Sequence, residues 1–318
     1  MRPTGKLHLG HYHGVLKNWL TLQDQFECIF FIADLHALTT EYASPEMIRT
    51  STRDVLVDWL SAGLDPHKVT LFVQSDVKEH AELHLLLSMI TPVGWLERVP
   101  SYKEMQQELS TKDLSTYGFL GYPLLQTADI ALYDGSKVPV GLDQVPHIEL
   151  SREIIRRFNH LYGETLLEPQ PLLTKFPKLL GPDRRKMSKS YGNALYLSDS
   201  PDEIQKKIMA AITDPARIRR EDPGNPDICL VFDYHKLHSS REEIETVNET
   251  CRNATLGCVQ DKKKMVETIN AFLQPMREKR KDLLKAPEQL EDIIQKGRER
   301  ASQIAAETMA RVRKAMKF

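Results

Sequence analysis

The sequence predicts an α/β chain in two parts: a parallel β-sheet with helices on its faces over residues 1–198, then an α-helical part over 199–318. Three observations predict it. Short apolar runs alternate with helical patterns in the first part. Strand signals fade from about Pro201 onward. The C-terminal stretch carries a single apolar stripe at helical spacing.

Cys28-Ile29-Phe30-Phe31-Ile32-Ala33 has no polar alternation, so it predicts a strand buried on both faces, the mark of a parallel sheet. From Pro45 to Ala62, the spacing of Ile48, Val55, Leu56 and Leu60 predicts a helix. Val69 to Val73 is the next strand, and a strand–helix–strand order requires a parallel crossover. Over 288–317, Leu290, Ile293, Ile294, Gly297, Ala301, Ile304, Ala305, Met309, Val312 and Met316 form one stripe of a long helix. Pro287 stands at its start, where a missing N–H costs least.

With 318 residues and 41% hydrophobic content, the chain has material for two cored domains. Its formal net charge of -1 excludes polycation behaviour but is compatible with a local basic face. No apolar run approaches a bilayer span and no charged-then-apolar leader opens the chain, so a soluble cytoplasmic protein without a membrane partner is expected; no DNA partner is expected either. The four cysteines suit a reducing compartment better than a disulfide framework.

Two segments carry chemistry. His8-Leu9-Gly10-His11 precedes helix-compatible sequence. A glycine in the first helical turn lets a ligand approach backbone N–H groups, and the helix start adds partial positive charge. Two imidazoles beside it are suited to donate to phosphoryl oxygens as charge builds. By itself such a turn reads equally well as a metal site or a satisfied surface cluster. Lys186-Met187-Ser188-Lys189-Ser190, after Gly181-Pro182-Asp183-Arg184-Arg185, reads as a solvated basic loop or as a loop whose ammonium groups reach a departing pyrophosphate.

Together and in this order, the two segments resemble the signature pair of class I aminoacyl-tRNA synthetases. That resemblance implies a Rossmann-type domain with both motifs around ATP at the carboxyl ends of the strands. Between them, Gly121-Tyr122-Pro123-Leu124-Leu125-Gln126-Thr127-Ala128-Asp129 and Val138-Pro139-Val140-Gly141-Leu142-Asp143-Gln144-Val145-Pro146-His147 resemble the amino-acid pocket of the tryptophanyl/tyrosyl subclass. The runs at 141–150 and 222–229 favour the tryptophanyl enzymes. Gln126 keeps the tyrosyl alternative open, and a non-charging tRNA-binding relative is a third reading.

The resemblance implies the following roles. His8, His11, Lys186 and Lys189 serve catalysis. Arg2, Pro3, Thr4, Gly10, Gly141, Leu142, Asp143, Leu179, Met187, Ser188 and Ser190 join them at ATP. His36, Tyr122, Gln126, Asp129, Val138, Val140 and Gln144 surround tryptophan. Asp129 accepts the indole N–H, while Tyr122 and Gln144 hold the α-amino group. Leu142 stands where the family often has an acidic residue, and its backbone is expected at the ribose. ATP, Mg²⁺ carried in with ATP, L-tryptophan, tRNA(Trp) and a second copy of the chain are the implied cofactors and partners, with no resident metal. The helical part is implied to read the anticodon, with Arg298, Arg300, Arg311, Arg313 and Lys314 as candidate phosphate contacts or a solvated face.

Two departures carry expectations. The family has a strand before Pro3-Thr4-Gly5, and Met1 falls at that strand's end, so a shortened frame with a weakened tryptophan site is expected. Cys229, Cys251 and Cys258 resemble an iron–sulfur motif of one tryptophanyl branch, but its fourth position is Asp261. A relic of small packed thiols is expected instead.

Overall fold

The computed structural model describes residues 1–100, 113–173, 179–189 and 191–318. The chain enters beside the first strand. The Met1 ammonium donates to the Phe31 carbonyl (2.7 Å), and Ala33 N–H donates to the Met1 carbonyl (2.9 Å). After the Pro3-Thr4-Gly5 turn comes helix α1, built of Leu9–His11, a π turn over Tyr12–Leu16, and Lys17–Leu22. Such π turns recur at functional sites because they re-aim the side chains of one helical turn.

Strand β1 (Cys28–Ile32) pairs in parallel with β2 (Val69–Val73), in register from Cys28↔Val69 to Ile32↔Val73. Between them run α2 (Asp34–Glu41) and α3 (Pro45–Ala62). Pro45 opens α3, and Gly63 ends it at φ 116°, a left-handed conformation that a Cβ would strain. Next come α4 (Glu79–Ser88), α5 (Val93–Glu97), α6 (Tyr117–Leu120) and α7 (Tyr122–Ala131). Strand β3 (Lys137–Val140) then pairs in parallel with β4 (Gln170–Leu173) across α8 (Val145–Tyr162).

The parallel α/β architecture is as expected, but the sheet is not continuous. The strands form two pairs, β1–β2 and β3–β4. A cavity of about 820 Å³ lies between β1 and β3, with Phe31, Ile130, Val138 and Val140 among its walls.

Beyond Asp199 the described elements are helical: α9 (Pro201–Met209), α10 (Leu230–His238), α11 (Arg241–Arg252), α12 (Cys258–Lys285) and α13 (Pro287–Met316). Ser200 and Ser240 cap α9 and α11, each bonding reciprocally with a glutamate three residues on. The longest helix does not stay with this part. α13 returns across β2, and a Cβ built on Gly297 would stand only 1.8 Å from the Leu71 carbonyl oxygen. Ala301 and Ala305 continue that small face and are fully buried.

This placement changes the reading of the α13 arginines. Arg300 pairs with Glu27, Arg311 with Asp134 (2.6 Å) and Arg313 with Glu82 (2.6 Å). Three of the candidate phosphate contacts are thus engaged in docking their helix onto the sheet half. Among the described residues no helix is long and apolar enough to cross a membrane.

A histidine pair ties α1 to α10. His13 Nε2 and His238 Nε2 are 3.1 Å apart, packed against the Phe272 ring. Burial lowers the His13 pKa from 6.5 to about 4 and that of His238 to about 3, with Lys17 adding repulsion to both. As pH falls, the unfolded chain takes up protons on these rings near 6.5 while the folded chain does not. Their contribution is therefore complete above 6.5 and is lost as pH falls toward 4. At pH 5 the loss is on the order of 2 kcal/mol per ring. Thermal melts from pH 7 to 5 should show the decline, and His238→Phe should flatten it. An equal decline in that variant would assign the acid sensitivity elsewhere.

Candidate active site

The site lies at the carboxyl ends of the strands, where helix starts and loops converge. Asp34 follows β1, Gln74 follows β2 and Gly141 follows β3.

On the ATP side, His8 is extended (φ -122°, ψ 171°) and the helix begins at Leu9. The two imidazoles pack at 3.8 Å between ring centroids. His8 N–H donates to His11 Nδ1 (3.2 Å), so the His11 proton sits on Nε2. His8 Nδ1 is buried and has no partner within the protein. Burial, aided by the nearby Lys189 ammonium, lowers the His8 pKa to about 4 and holds that of His11 well below 6.5. Both rings are neutral at pH 7. Each can offer a ligand a hydrogen bond but no positive charge. A Cβ on Gly10 would stand 2.9 Å from the His8 ring, so any side chain there would displace that imidazole.

Lys189 faces them. Its Nζ donates to the Gly5 carbonyl (2.7 Å), and burial lowers its pKa to about 8. Gly5 adopts φ 103°, where a side chain would be strained. Thr4 N–H donates to the Arg2 carbonyl (3.0 Å), Pro3 is buried, and burial lowers the Arg2 pKa against the opposing pull of Glu41.

The second motif is a tight loop closed by Asn193. The Asn193 carbonyl oxygen Oδ1 accepts from Ser188 N–H (2.8 Å), and its Nδ2 donates to Asp183 (2.7 Å) and to the Lys186 carbonyl (3.2 Å). Met187 is buried, its N–H donating to the carbonyl of buried Leu179 (2.9 Å). Lys186 is exposed. Ser190 lies outside the described residues. Gly141, Leu142 and Asp143 sit at the end of β3, where a 3₁₀ turn leads into α8. Leu142 is 78% exposed, which fits a role for its backbone rather than its side chain.

On the other side, Asp129 on α7 is buried and accepts three hydrogen bonds. Oδ1 takes Gln74 Nε2 (2.7 Å) and His80 Nδ1 (2.7 Å), while Oδ2 takes His36 Nε2 (2.8 Å). Burial opposes the charge, but His36 and His80 outweigh it and hold the carboxyl well below the ordinary range, so it is ionised throughout. His80 Nδ1 must therefore carry a proton, leaving Nε2 to accept from Tyr133 OH (2.8 Å). A carboxylate offers about four acceptor positions. Three are filled, and one remains on Oδ2.

Gln126, Asp129, Val138 and Val140 line the 820 Å³ cavity together. His36 reaches it through Asp129. Tyr122 OH bonds His147 Nε2 (3.3 Å), and His147 Nδ1 bonds Gln126 Oε1 (3.2 Å), so the two polar chains meet at one face of α7. Gln144 bonds its neighbour Asp143 (3.0 Å).

Gln74, His80 and Tyr133 escaped the sequence reading. Gln74 carried a usable signal, since it directly follows a parallel strand. His80 had none, being a single histidine on a helix.

The cysteines do not suit a cluster. Arg217 Nη1 lies 3.9 Å from Cys251 Sγ and 3.8 Å from Cys258 Sγ, so a guanidinium wedges among the thiols. Asp261 is spent on His235 Nε2 (3.0 Å). A Cβ on Gly224 would stand 2.5 Å from Cys251 Sγ, which shows how tightly that sulfur is packed. Among the described residues no three His, Cys, Asp or Glu side chains are arranged to hold a metal ion.

Comparison with known proteins identifies the family. The model of the family described as tRNA synthetases class I (W and Y) matches residues 1–274. A tryptophan–tRNA ligase of Thermotoga maritima is 52% identical, with 99% of this chain and 97% of the relative aligned. That of Aquifex aeolicus is 45% identical over 99% and 98%. A crystal structure of Campylobacter jejuni tryptophanyl-tRNA synthetase, complexed with ADP and tryptophan, superposes with a TM-score of 0.91 at 33% identity, covering 100% of this chain and 98% of that one. A tyrosyl-tRNA synthetase of Archaeoglobus fulgidus, at 23% identity and a TM-score of 0.68, shares the fold. The chain therefore belongs to the class I tRNA synthetases of the W and Y group, on its tryptophanyl branch.

Proposed function

We infer that the chain is a tryptophan–tRNA ligase. The tryptophan carboxylate attacks the α-phosphorus of ATP and pyrophosphate leaves. A terminal ribose hydroxyl of tRNA(Trp) then attacks the activated carbonyl and AMP leaves. The observation that carries the reading is Asp129: an ionised, buried carboxylate at a mostly apolar cavity, with one acceptor position left for an indole N–H.

The neutral His8 and His11 donate to phosphoryl oxygens, and Lys186 and Lys189 stabilise the departing pyrophosphate. Gly10, Gly141, Leu142 and Asp143 hold adenine and ribose, with Arg2, Pro3, Thr4, Leu179, Met187, Ser188 and Ser190 completing the ATP side. His36, Tyr122, Gln126, Val138, Val140 and Gln144 surround the amino acid with Asp129. Mg²⁺ enters with ATP, keeping most of its waters, so no dedicated protein cage is needed. Residues 1–198 carry catalysis and the helices after Asp199 read the anticodon, in a cytoplasmic homodimer.

Amino-acid-dependent exchange of labelled pyrophosphate into ATP tests this. Tryptophan should support exchange and tyrosine should not, with a preference of about 10³-fold or more. Exchange with tyrosine alone would transfer the chain to the sister specificity. Tight tRNA binding without exchange from either would make it a binding protein on this scaffold.

A further inference from the structure

Resting on the assignment of His8 and Lys189 to ATP, we propose that Arg280 on α12 is a positioning residue for the ATP turn, acting through Asp58. Asp58 on α3 is 2% exposed. Its Oδ2 accepts from Leu7 N–H (3.2 Å), directly before His8, and its Oδ1 pairs with Arg280 Nη1. The other arm of Arg280 pairs with Asp54 Oδ1 (2.5 Å) on the same face of α3. Two residues before Leu7, the Gly5 carbonyl is held by Lys189 Nζ (2.7 Å). The turn is thus gripped from one side by the motif lysine and from the other by a carboxylate that belongs to neither motif.

The charges explain why Arg280 is needed. Burial raises the Asp58 pKa to about 6, opposed by Arg280, the Leu7 N–H and Lys189 and reinforced by Asp54, so the carboxylate is ionised at neutral pH only with its cations in place. Lys189 in turn feels Asp58, which favours its charged form. With Arg280 in place, Asp58 is compensated and Lys189 is left to Gly5 and the phosphates. Without Arg280, a buried carboxylate has lost its ion-pair partner, and the other cation it feels is the Lys189 ammonium. Lys189 is then drawn off the ATP side. A buried charge stripped of its partner recruits a counter-ion or a proton; because burial already raises the Asp58 pKa to about 6, capture of Lys189 should be strongest above neutral pH, and the ATP measurements are made at pH 8.

The effect should fall on ATP and spare tryptophan, whose carboxylate reader Asp129 is held by His36, Gln74 and His80 instead. ATP dissociation constants measured by calorimetry, with pyrophosphate-exchange kinetics alongside, test this on the full chain. Arg280→Met should weaken ATP binding about tenfold, about 1.4 kcal/mol, and leave KM for tryptophan unchanged. Arg280→Lys should restore most of the affinity. Asp58→Asn added to Arg280→Met should recover ATP binding, because the amide oxygen still accepts from Leu7 while the charge that captures Lys189 is gone. A merely structural role predicts the reverse, since the double variant loses more contacts.

The proposal is overturned if Arg280→Met weakens both substrates alike, or if the double variant binds ATP no better than Arg280→Met while melting at the same temperature. Calorimetry separates the two questions. A wild-type chain that binds ATP but exchanges with no amino acid would sink the functional reading and still leave the Arg280 result decisive.

Discussion

Replacing Gly297 with alanine should lower the unfolding temperature by roughly 3 °C. Two terms of opposite sign compete. Alanine favours an isolated helix over glycine by about 1 kcal/mol. Against it, the new methyl would fall 1.8 Å from the Leu71 carbonyl oxygen and 2.6 Å from its carbon. Both atoms are strand backbone, so no side chain can rotate away. α13 would have to lift by more than an ångström, opening gaps beneath Ala301, Ala305 and Met309, all fully buried. Overpacking of this kind costs about 3 kcal/mol, and it outweighs the propensity gain. Circular-dichroism melts of wild type and variant measure it. A rise in melting temperature would mean that α13 does not sit on β2.

The second large effect is expected at Asp129. Asp129→Asn keeps the shape but replaces one acceptor oxygen with a donor, in a site where Gln74, His80 and His36 all present donors. One of them must then face an N–H, and the indole loses a charged partner. Leaving a buried donor unpaired and losing a charge-assisted bond together justify about a 10³-fold fall in kcat/KM for tryptophan. ATP binding should hold. The carboxyl is kept well below its ordinary range, so wild-type tryptophan affinity should not titrate with Asp129 at any pH above about 5. The stability this residue contributes is present above the unfolded carboxyl pKa and is lost only in stronger acid. A variant that exchanges with tryptophan at near wild-type efficiency would remove Asp129 from the pocket.

What the sequence made legible was local. The α3 helix and β2 strand were legible with their approximate bounds, because periodicity and apolar runs are features of the segments themselves. The end of the α13 stripe was equally plain, yet its partner was not. A stripe containing Gly297, Ala301 and Ala305 looks the same whether it faces other helices or a strand seventy-odd residues from the start. Asp129, His8 and Lys189 were singled out only because they stood in register within a recognised pattern. Nothing near Gln74 or His80 announces that they share one carboxylate. That convergence is made by α4, α7 and the turn after β2, and it exists only once the elements pack. The open β1–β3 cleft and the engagement of Arg300, Arg311 and Arg313 were hidden for the same reason.

The seat of α13 also sets an order of events at the ribosome. β2 is complete early in synthesis, whereas the helix that covers it begins only at Pro287. Until translation passes that proline and the following turns clear the exit tunnel, Phe72 lacks the Ala301–Ala305–Met309 stripe it is clustered with, and that apolar surface stays uncovered. At about 5–20 residues per second, more than two hundred residues of waiting amount to tens of seconds. A message truncated shortly before Pro287 should therefore yield a chain whose β2 lacks its helical cover, a sticky product for chaperones and proteases.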